Sequence, residues 1–222
     1  MNLAGIDGGL IFIYLSETPF MKKCILFVSL LTISGALFSQ DDISIGPIAG
    51  FGHTWISKVD GEARYKPSGN FGLQFYYSAS ENIGIGTGLM YSIEGGENRI
   101  SNSTYNARLN YLRLPVQAAY FFGKYGDKVR PKVAFGPSFG FLLGGKQTLN
   151  QAESGVSDDF KSVDIGLQLN GGVHVRLISG VWLTMDIGYY TGLADITEAD
   201  LKNKNKNIGF NAGLLFGAGR KQ

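Results

Sequence analysis

The sequence is poor in two residue types on which much of the chemistry of protein sites depends. It contains one cysteine, Cys24, and two histidines, His53 and His174. Because Cys24 lies inside a predicted signal peptide, the mature chain is expected to have no thiol, disulfide or thiolate metal site. Basic residues exceed acidic ones only slightly, 20 against 18, so the charge balance gives no reason to expect a nucleic-acid partner.

Residues 21–40 have the order of features found in secretory signal peptides. Met21 is followed by Lys22 and Lys23, then by an apolar stretch, then by small residues near Ser39. The apolar stretch is shorter than the ~20 residues that a membrane-spanning helix needs. Residues 1–20 fit neither this signal nor the segments that follow. We therefore predict that they are an upstream artefact, with a genuine extension as the alternative, and that residues 41–222 form one domain.

A repeated alternation of apolar and polar residues dominates the mature chain. From Val163 to Leu177, odd positions are aliphatic or glycine and even positions are mostly polar. Successive side chains of a β-strand point to opposite faces, so this pattern predicts strands with one apolar face. We predict eight of them, over residues 43–56, 68–79, 83–93, 107–122, 131–143, 162–177, 181–191 and 206–217.

The connections between these strands alternate in length. Long ones are predicted at 57–67, 94–106, 144–161 and 192–205, and short ones at 80–82, 123–130 and 178–180. An even number of antiparallel strands with short turns at one end and long loops at the other is typical of outer-membrane barrels. The sequence thus predicts an all-β fold, a single eight-stranded antiparallel transmembrane β-barrel with up-and-down meander order.

Side-chain volume decides which face points outward. One face carries large apolar residues such as Ile85, Phe135 and Ile187, whereas the other carries glycine, alanine and serine together with the charged residues of the strands. The interior of an eight-stranded barrel is just wide enough for side chains to fill it, so the small and charged set belongs inside. A soluble barrel, the alternative, would expose the aromatic face to water.

Four short motifs resemble those of a known family. They are Ile45–Phe51, Tyr111–Val116, Phe135-Gly136-Pro137 and Gly209–Leu214, and they resemble the PorT-like, or porin-family, outer-membrane β-barrel proteins. The resemblance implies a barrel in the bacterial outer membrane, and some relatives assist a protein-secretion system. That family often has an acidic residue where Arg113 stands, so a role tied to that acid does not transfer to this chain.

No catalytic, metal or cofactor site is predicted. Gly84, Gly86 and Gly88 alternate along a strand, whereas a dinucleotide-binding loop needs a turn between a strand and a helix. His53 is predicted to point outward near one end of the barrel, and His174 inward near the other, so the two cannot share a site.

Inward polar residues are predicted to form a network that fills the lumen, with a transport path as the alternative. In it, Arg176 is expected to lie beside Trp182 and to share Asp186 or another inward acid. The predicted network comprises Gln74, Arg113, Gln117, Asp164, Gln168, Asn170, His174, Arg176 and Asp186.

Four basic residues at the long-loop end have outward parity, and we predict that they contact the phosphates of outer-leaflet glycolipids. The alternative is that the lysines lie in a solvated loop and contact no lipid. They are Arg108, Lys202, Lys204 and Lys206.

These features predict a non-enzymatic outer-membrane protein with a structural or interaction role. Its partners would be outer-membrane lipid and a protein that contacts the extracellular loops. One alternative, implied by the family resemblance, is an accessory factor in protein secretion or envelope assembly. A lipid-modifying enzyme is a weaker alternative, because the two histidines are far apart.

Overall fold

A computed structural model describes residues 43–57, 62–100, 103–124, 126–150, 152–156, 159–199 and 202–217. The predicted upstream artefact and signal peptide, residues 1–20 and 21–40, lie outside the described residues. None of the described residues lies in a helix long and apolar enough to cross a membrane.

The described residues form ten β-strands. Eight of them are long and two are short additions at the long-loop end. In chain order they are β1 Ile43–Ser57, β2 Glu62–Arg64, β3 Lys66–Ser78, β4 Ile83–Ile100, β5 Ser103–Phe121, β6 Val129–Leu149, β7 Ala152–Gly155, β8 Val163–Ile178, β9 Val181–Gly192 and β10 Lys204–Gly217.

The eight long strands close into a barrel. Each pairs antiparallel with its neighbours in the order β4-β3-β1-β10-β9-β8-β6-β5, and β4 pairs with β5 to complete the circle. The two short strands lie outside this circle of eight, since β2 pairs with the end of β4 and β7 folds back on β6. The predicted eight-stranded meander is confirmed, and closure leaves none of the eight strands with an unpaired edge.

Exposure along the strands confirms which face points outward. Phe135 and Ile187 are 51% and 63% exposed, whereas the inward-facing Asp164 and Thr184 are 0% exposed. The outer surface is therefore apolar over the middle of the barrel, and the polar side chains are enclosed. Such a surface is suited to lipid rather than to water.

The predicted loop at residues 94–106 is wrong in extent, because the paired strands β4 and β5 continue through it. Their pairing runs from Gly95 opposite Arg108 to Ile100 opposite Ser103. Gly95 has a φ of +130°, a backbone conformation that favours glycine. The continuation escaped detection because beyond the apolar band polar residues occupy both faces, so the alternation of apolar and polar residues fades.

The predicted loop at 144–161 is also more ordered than a solvated loop. Strand β6 runs on to Leu149 and β7 pairs back on it, after which Val156 and Phe160 pack inward. Lys161 N donates a hydrogen bond to Ile196 O, which joins this loop to the connection between β9 and β10. The resulting loop cap is a buried apolar cluster of Ile56, Ala107, Leu109, Tyr111, Val156, Phe160 and Ile196.

The loop cap covers the interior at the long-loop end. Ala107, Leu109 and Tyr111 lie on the inner face of β5, in alternation with outward residues, and they continue the series that includes Arg113. Ile56 of β1 and three side chains from two long loops complete the cluster, so the described part of the cap packs on this inner surface without a helix.

Candidate functional site

The centre of the interior is a buried ion triad, made by Arg113 on β5 with Glu94 on β4 and Asp164 on β8. The Arg113 guanidinium donates from Nε to Glu94 Oε1 at 2.7 Å and from Nη2 to Glu94 Oε2 at 2.5 Å. The same Nη2 donates to Asp164 Oδ2 at 2.6 Å. The three side chains are at most 5% exposed. One cation therefore neutralises two carboxylates from different strands, which it connects across the lumen.

A glycine makes this geometry possible. Gly140 on β6 lies directly between Arg113 and Asp164 in the strand register. A Cβ atom at Gly140 would lie 2.7 Å from Arg113 Nη1, closer than van der Waals contact permits. The missing side chain therefore leaves the space in which the guanidinium reaches over β6 to Asp164.

Polar and aromatic groups surround the triad. Ser92 Oγ donates to Glu94 Oε1 at 2.9 Å, and Asn205 Nδ2 donates to Asp164 Oδ2 at 3.1 Å. The Arg113 guanidinium carbon lies 4.0 Å from the ring centroid of Tyr190, and 4.9 Å from that of Tyr111. A desolvated cation–π contact of this kind adds roughly 2 kcal/mol of attraction.

Amides fill the level next to the triad. Asn170 Nδ2 donates to Gln117 Oε1 at 2.9 Å, and Gln117 Nε2 donates to the backbone oxygen of Gln168 at 3.2 Å. Gln74 Nε2 donates to Tyr76 Oη at 3.2 Å. These contacts place the predicted residues Gln74, Gln117, Gln168 and Asn170 inside the barrel.

A second buried ion pair lies nearer the short-turn end. Lys132 Nζ is 3.0 Å from the Asp186 carboxylate and donates to Tyr76 Oη at 2.5 Å. Thr184 Oγ1 donates to Asp186 Oδ2 at 3.1 Å. The Lys132 side chain is 0% exposed, so its charge depends on Asp186 for compensation.

Two predictions concern Arg176, one about its acidic partner and one about its contact with Trp182, and they have different outcomes. The expectation that Arg176 shares Asp186 or another inward acid is wrong, because Lys132 of β6 pairs with Asp186 and no acidic side chain is among the described residues that line the cavity with Arg176. Arg176 does lie against Trp182, with its guanidinium carbon 5.9 Å from the ring centroid. That contact was predicted from the turn between β8 and β9, which places the two residues opposite each other.

Sequence reasoning missed three charged members of the interior, Lys132, Arg130 and Glu94. Lys132 and Arg130 share the parity of Ala134, but Lys132 lies close to the predicted start of its strand and Arg130 falls in the predicted connection 123–130. Glu94 shares the parity of Ser92 and falls in the predicted loop 94–106. In each case the uncertain strand end, rather than the alternation, caused the omission.

The predicted basic residues at the long-loop end fall into two groups on opposite sides of the barrel. Lys204 and Lys206 lie on β10, opposite Ser57 and Trp55 of β1. Arg108 is exposed on β5, four strands away in either direction, opposite Lys146. The four residues therefore cannot contact a single lipid headgroup together.

Lys202 is fixed by the loop that precedes β10. Its backbone N donates to Asp195 Oδ2 at 2.7 Å, and Thr197 donates to Asp195 Oδ1 from its N and from Oγ1. Slight desolvation works in the opposite direction, yet these hydrogen bonds hold the pKa of Asp195 below its ordinary value. Asp195 is therefore ionised at neutral pH and organises the loop.

The described residues do not bring the two histidines together. His53 is exposed near the long-loop end of β1, whereas His174 is buried near the short-turn end of β8. Within the ranges given above, no three His, Cys, Asp or Glu side chains are grouped as metal ligands.

A family model described as the outer membrane protein β-barrel domain matches residues 38–198. Among solved structures, Neisserial surface protein A is 15% identical, with 79% of this chain and 96% of that chain covered and a TM-score of 0.47. Ail of Yersinia pestis is 13% identical, with coverages of 79% and 99% and a TM-score of 0.47. OprG of Pseudomonas aeruginosa is 13% identical, with coverages of 79% and 94% and a TM-score of 0.49. Among curated proteins, none matches.

The ion triad predicts a large loss of stability when its cation is removed. Arg113→Met leaves the carboxylates of Glu94 and Asp164 without their cation, and breaking a buried pair in this way costs ~3–5 kcal/mol. The free energy of unfolding in urea, measured on the refolded barrel in detergent, should fall by that amount. Combining Arg113→Met with Glu94→Gln and Asp164→Asn should recover most of the loss. An equal loss in the combined variant would contradict the electrostatic explanation.

The pair of Lys132 with Asp186 can be compared with an exposed pair of similar length. Asp186→Leu should lower the free energy of unfolding by ~3–5 kcal/mol, because it leaves a buried ammonium unpaired. Lys146 and Glu153 are 2.6 Å apart but 70% and 56% exposed, so Glu153→Leu should cost at most about 1 kcal/mol. Similar losses in the two variants, measured in the same urea titration, would show that burial does not determine the effect.

Proposed function

The chain belongs to the outer membrane protein β-barrel domain family and is a protein of the bacterial outer membrane, and on that premise we propose that it is a non-enzymatic barrel with a closed lumen and four extracellular loops. Its role is structural or interaction-mediating. The observation that carries this proposal is the ion triad of Arg113, Glu94 and Asp164, which crosses the lumen with side chains at most 5% exposed.

Three successive levels support a closed lumen. The loop cap covers the long-loop end, the triad with Tyr111 and Tyr190 follows, and Lys132 with Asp186 and Tyr76 lies nearer the short-turn end. Eight strands leave an interior that side chains can fill, whereas conducting porins are built from many more strands. A solute would have to pass the apolar side chains of the loop cap and displace paired charged groups at the other two levels.

The long loops support an interaction role. In outer-membrane barrels the longer loops face the outside of the cell, so the ordered extension of β4 and β5 and the short strand β7 form an exposed surface there. A surface held in one conformation by pairing and by the loop cap loses little entropy when a partner binds. An extracellular protein partner would bind at this end.

Closure predicts negligible conductance. Purified protein inserted in a planar bilayer should give no steady single-channel current, because the three levels lie in series and each is held by its own contacts. A general porin inserted under the same conditions provides the positive control. A large and stable current from the folded protein would overturn the closed-lumen proposal.

We also propose that Lys204 and Lys206 contact outer-leaflet glycolipid, with Lys202 above them. Trp55, directly opposite Lys206, packs against Tyr65 and Tyr189 with ring centroids 5.0 and 6.4 Å apart. Tryptophan and tyrosine are enriched at the interface between membrane and water. The lysines therefore lie at or just beyond the level of lipid headgroups, and Arg108 provides a separate contact on the opposite side.

Replacing Lys202, Lys204 and Lys206 by Gln should weaken binding to anionic glycolipid, because each basic residue near an anionic lipid surface contributes ~1 kcal/mol. Binding to glycolipid vesicles, measured at low and high salt, should show a loss that is larger at low salt. The unheated protein should keep its altered gel mobility, which reports an intact barrel.

The matched control is Lys124→Gln with Lys128→Gln, which removes exposed charge at the short-turn end. These changes should leave glycolipid binding unaltered. If the variant at the long-loop end binds as well as the unaltered protein at low salt, the lysines do not contact the lipid.

A further inference from the structure

The short-turn end of the lumen contains a cavity whose wall includes Tyr76 and the contact of Arg176 with Trp182. Its volume is about 140 Å³, and its lining includes Tyr76, Phe121, Arg130, His174, Arg176 and Trp182. No acidic side chain is among the described residues that line it. Because the loop cap closes the opposite end, this cavity is reached from the short turns, which face the periplasm in an outer-membrane barrel.

The strand register places basic groups side by side on the cavity wall. Arg130 on β6 lies directly opposite His174 on β8, and directly opposed residues have Cβ atoms about 5 Å apart. Arg176 is two residues beyond His174 on the same face of β8, a separation of roughly 7 Å at the rise of a strand. Three nitrogen-bearing side chains therefore surround one small volume.

Two of these side chains have donor capacity to spare. His174 is 7% exposed and its Nε2 has no hydrogen-bond partner among the described residues. Its ring is held by Tyr76 and Phe121, with centroids 5.1 and 5.2 Å away. The Arg176 guanidinium lies over the Trp182 ring, a contact that leaves its N–H edge available. A buried nitrogen without a partner is costly unless a ligand or water satisfies it.

Arg130 contributes to the cavity in a different way, because its guanidinium is already held by contacts at the wall. Its Nη2 donates to the backbone oxygen of Glu81, and its guanidinium carbon lies 4.9 Å from the Phe121 ring centroid. These contacts fix Arg130 at the wall, where it adds positive potential. The hydroxyl groups of Ser44 and Ser78 also line the cavity and are further donors.

We propose that this cavity binds a phosphate-type oxyanion, held chiefly by Arg176 and His174. An oxyanion fits because it is small and carries several acceptor oxygens for the Arg176 guanidinium and the unpartnered Nε2 of His174. The anion is either a free periplasmic solute or the phosphate of a phospholipid headgroup from the adjacent leaflet. The site shares Tyr76 with the level of Lys132 and Asp186, but the charges of that pair do not belong to it.

The test uses inorganic phosphate and the fluorescence of Trp182. The chain has two tryptophans, so Trp55→Phe leaves Trp182 as the only reporter, inside the cavity wall. The barrel is refolded in uncharged detergent free of oxyanions and titrated with phosphate, with chloride at equal ionic strength as the reference. We expect a saturable change with phosphate only. Absence of saturation would overturn the proposal.

Variants then test the residues. Arg176→Gln should weaken phosphate binding about tenfold or more, whereas Arg176→Lys, which keeps the charge, should keep most of it. Arg64→Gln removes an exposed arginine at the opposite end and should change nothing. The altered mobility of unheated protein on a detergent gel verifies folding of each variant. Equal binding by Arg176→Gln would overturn the assignment.

The sources of the anion are distinguished by competition. If added phosphatidylglycerol displaces inorganic phosphate, the site takes a lipid headgroup, and if it does not, the site takes a free anion.

Discussion

The pairing of charge inside a closed barrel is the constraint on which the rest of the interior depends. A buried arginine is tolerated only with acceptors in good geometry, and Arg113 obtains them from β4 and β8, on either side of its own pair of strands. That reach requires an empty position on β6, which Gly140 provides. Gly172 has the same relation to Asp186, since a Cβ there would lie 2.1 Å from Oδ1. The abundance of glycine, 32 residues, thus complements the long polar side chains of the lumen.

The ratio of acidic to basic side chains changes along the lumen axis. The triad near the loop cap has two carboxylates for one guanidinium, and the next ion pair has one of each sign. At the short-turn end the cavity wall carries Arg130, Arg176 and His174. The two carboxylates of the triad therefore lie toward the loop cap, whereas the side chains of Arg130 and Arg176 lie toward the short turns. The two ends of one narrow interior differ in the type of charged side chain that they carry.

The sequence predicts the fold well because one physical pattern governs every strand. Alternation and side-chain volume identify the eight strands, their order and their outward face, as residues such as Phe135 and Asp164 demonstrate. The same pattern fails where lipid no longer selects for apolar residues. Glu94 and Phe160 lie beyond or at the edge of the apolar band, so neither the continued pairing of β4 nor the inward packing of a loop can be inferred from periodicity. Partner choice is harder still, because Lys132 reaches Asp186 across Gly172 of the intervening strand, a register that the sequence does not reveal.

The distribution of satisfied and unsatisfied groups indicates where a barrel of this kind can interact. In the middle of the lumen, Arg113 pairs with Glu94 and Asp164, and Lys132 pairs with Asp186, so a ligand there would have to replace contacts of equal strength. At the ends, Arg176 lines the cavity and Arg108 is exposed on β5. Strand pairing holds the backbone at these positions and leaves the side chains able to bind other groups. Buried ion pairs therefore stabilise the scaffold, and the two rims are the parts of the barrel where a charged side chain can bind a ligand at the least cost in lost contacts.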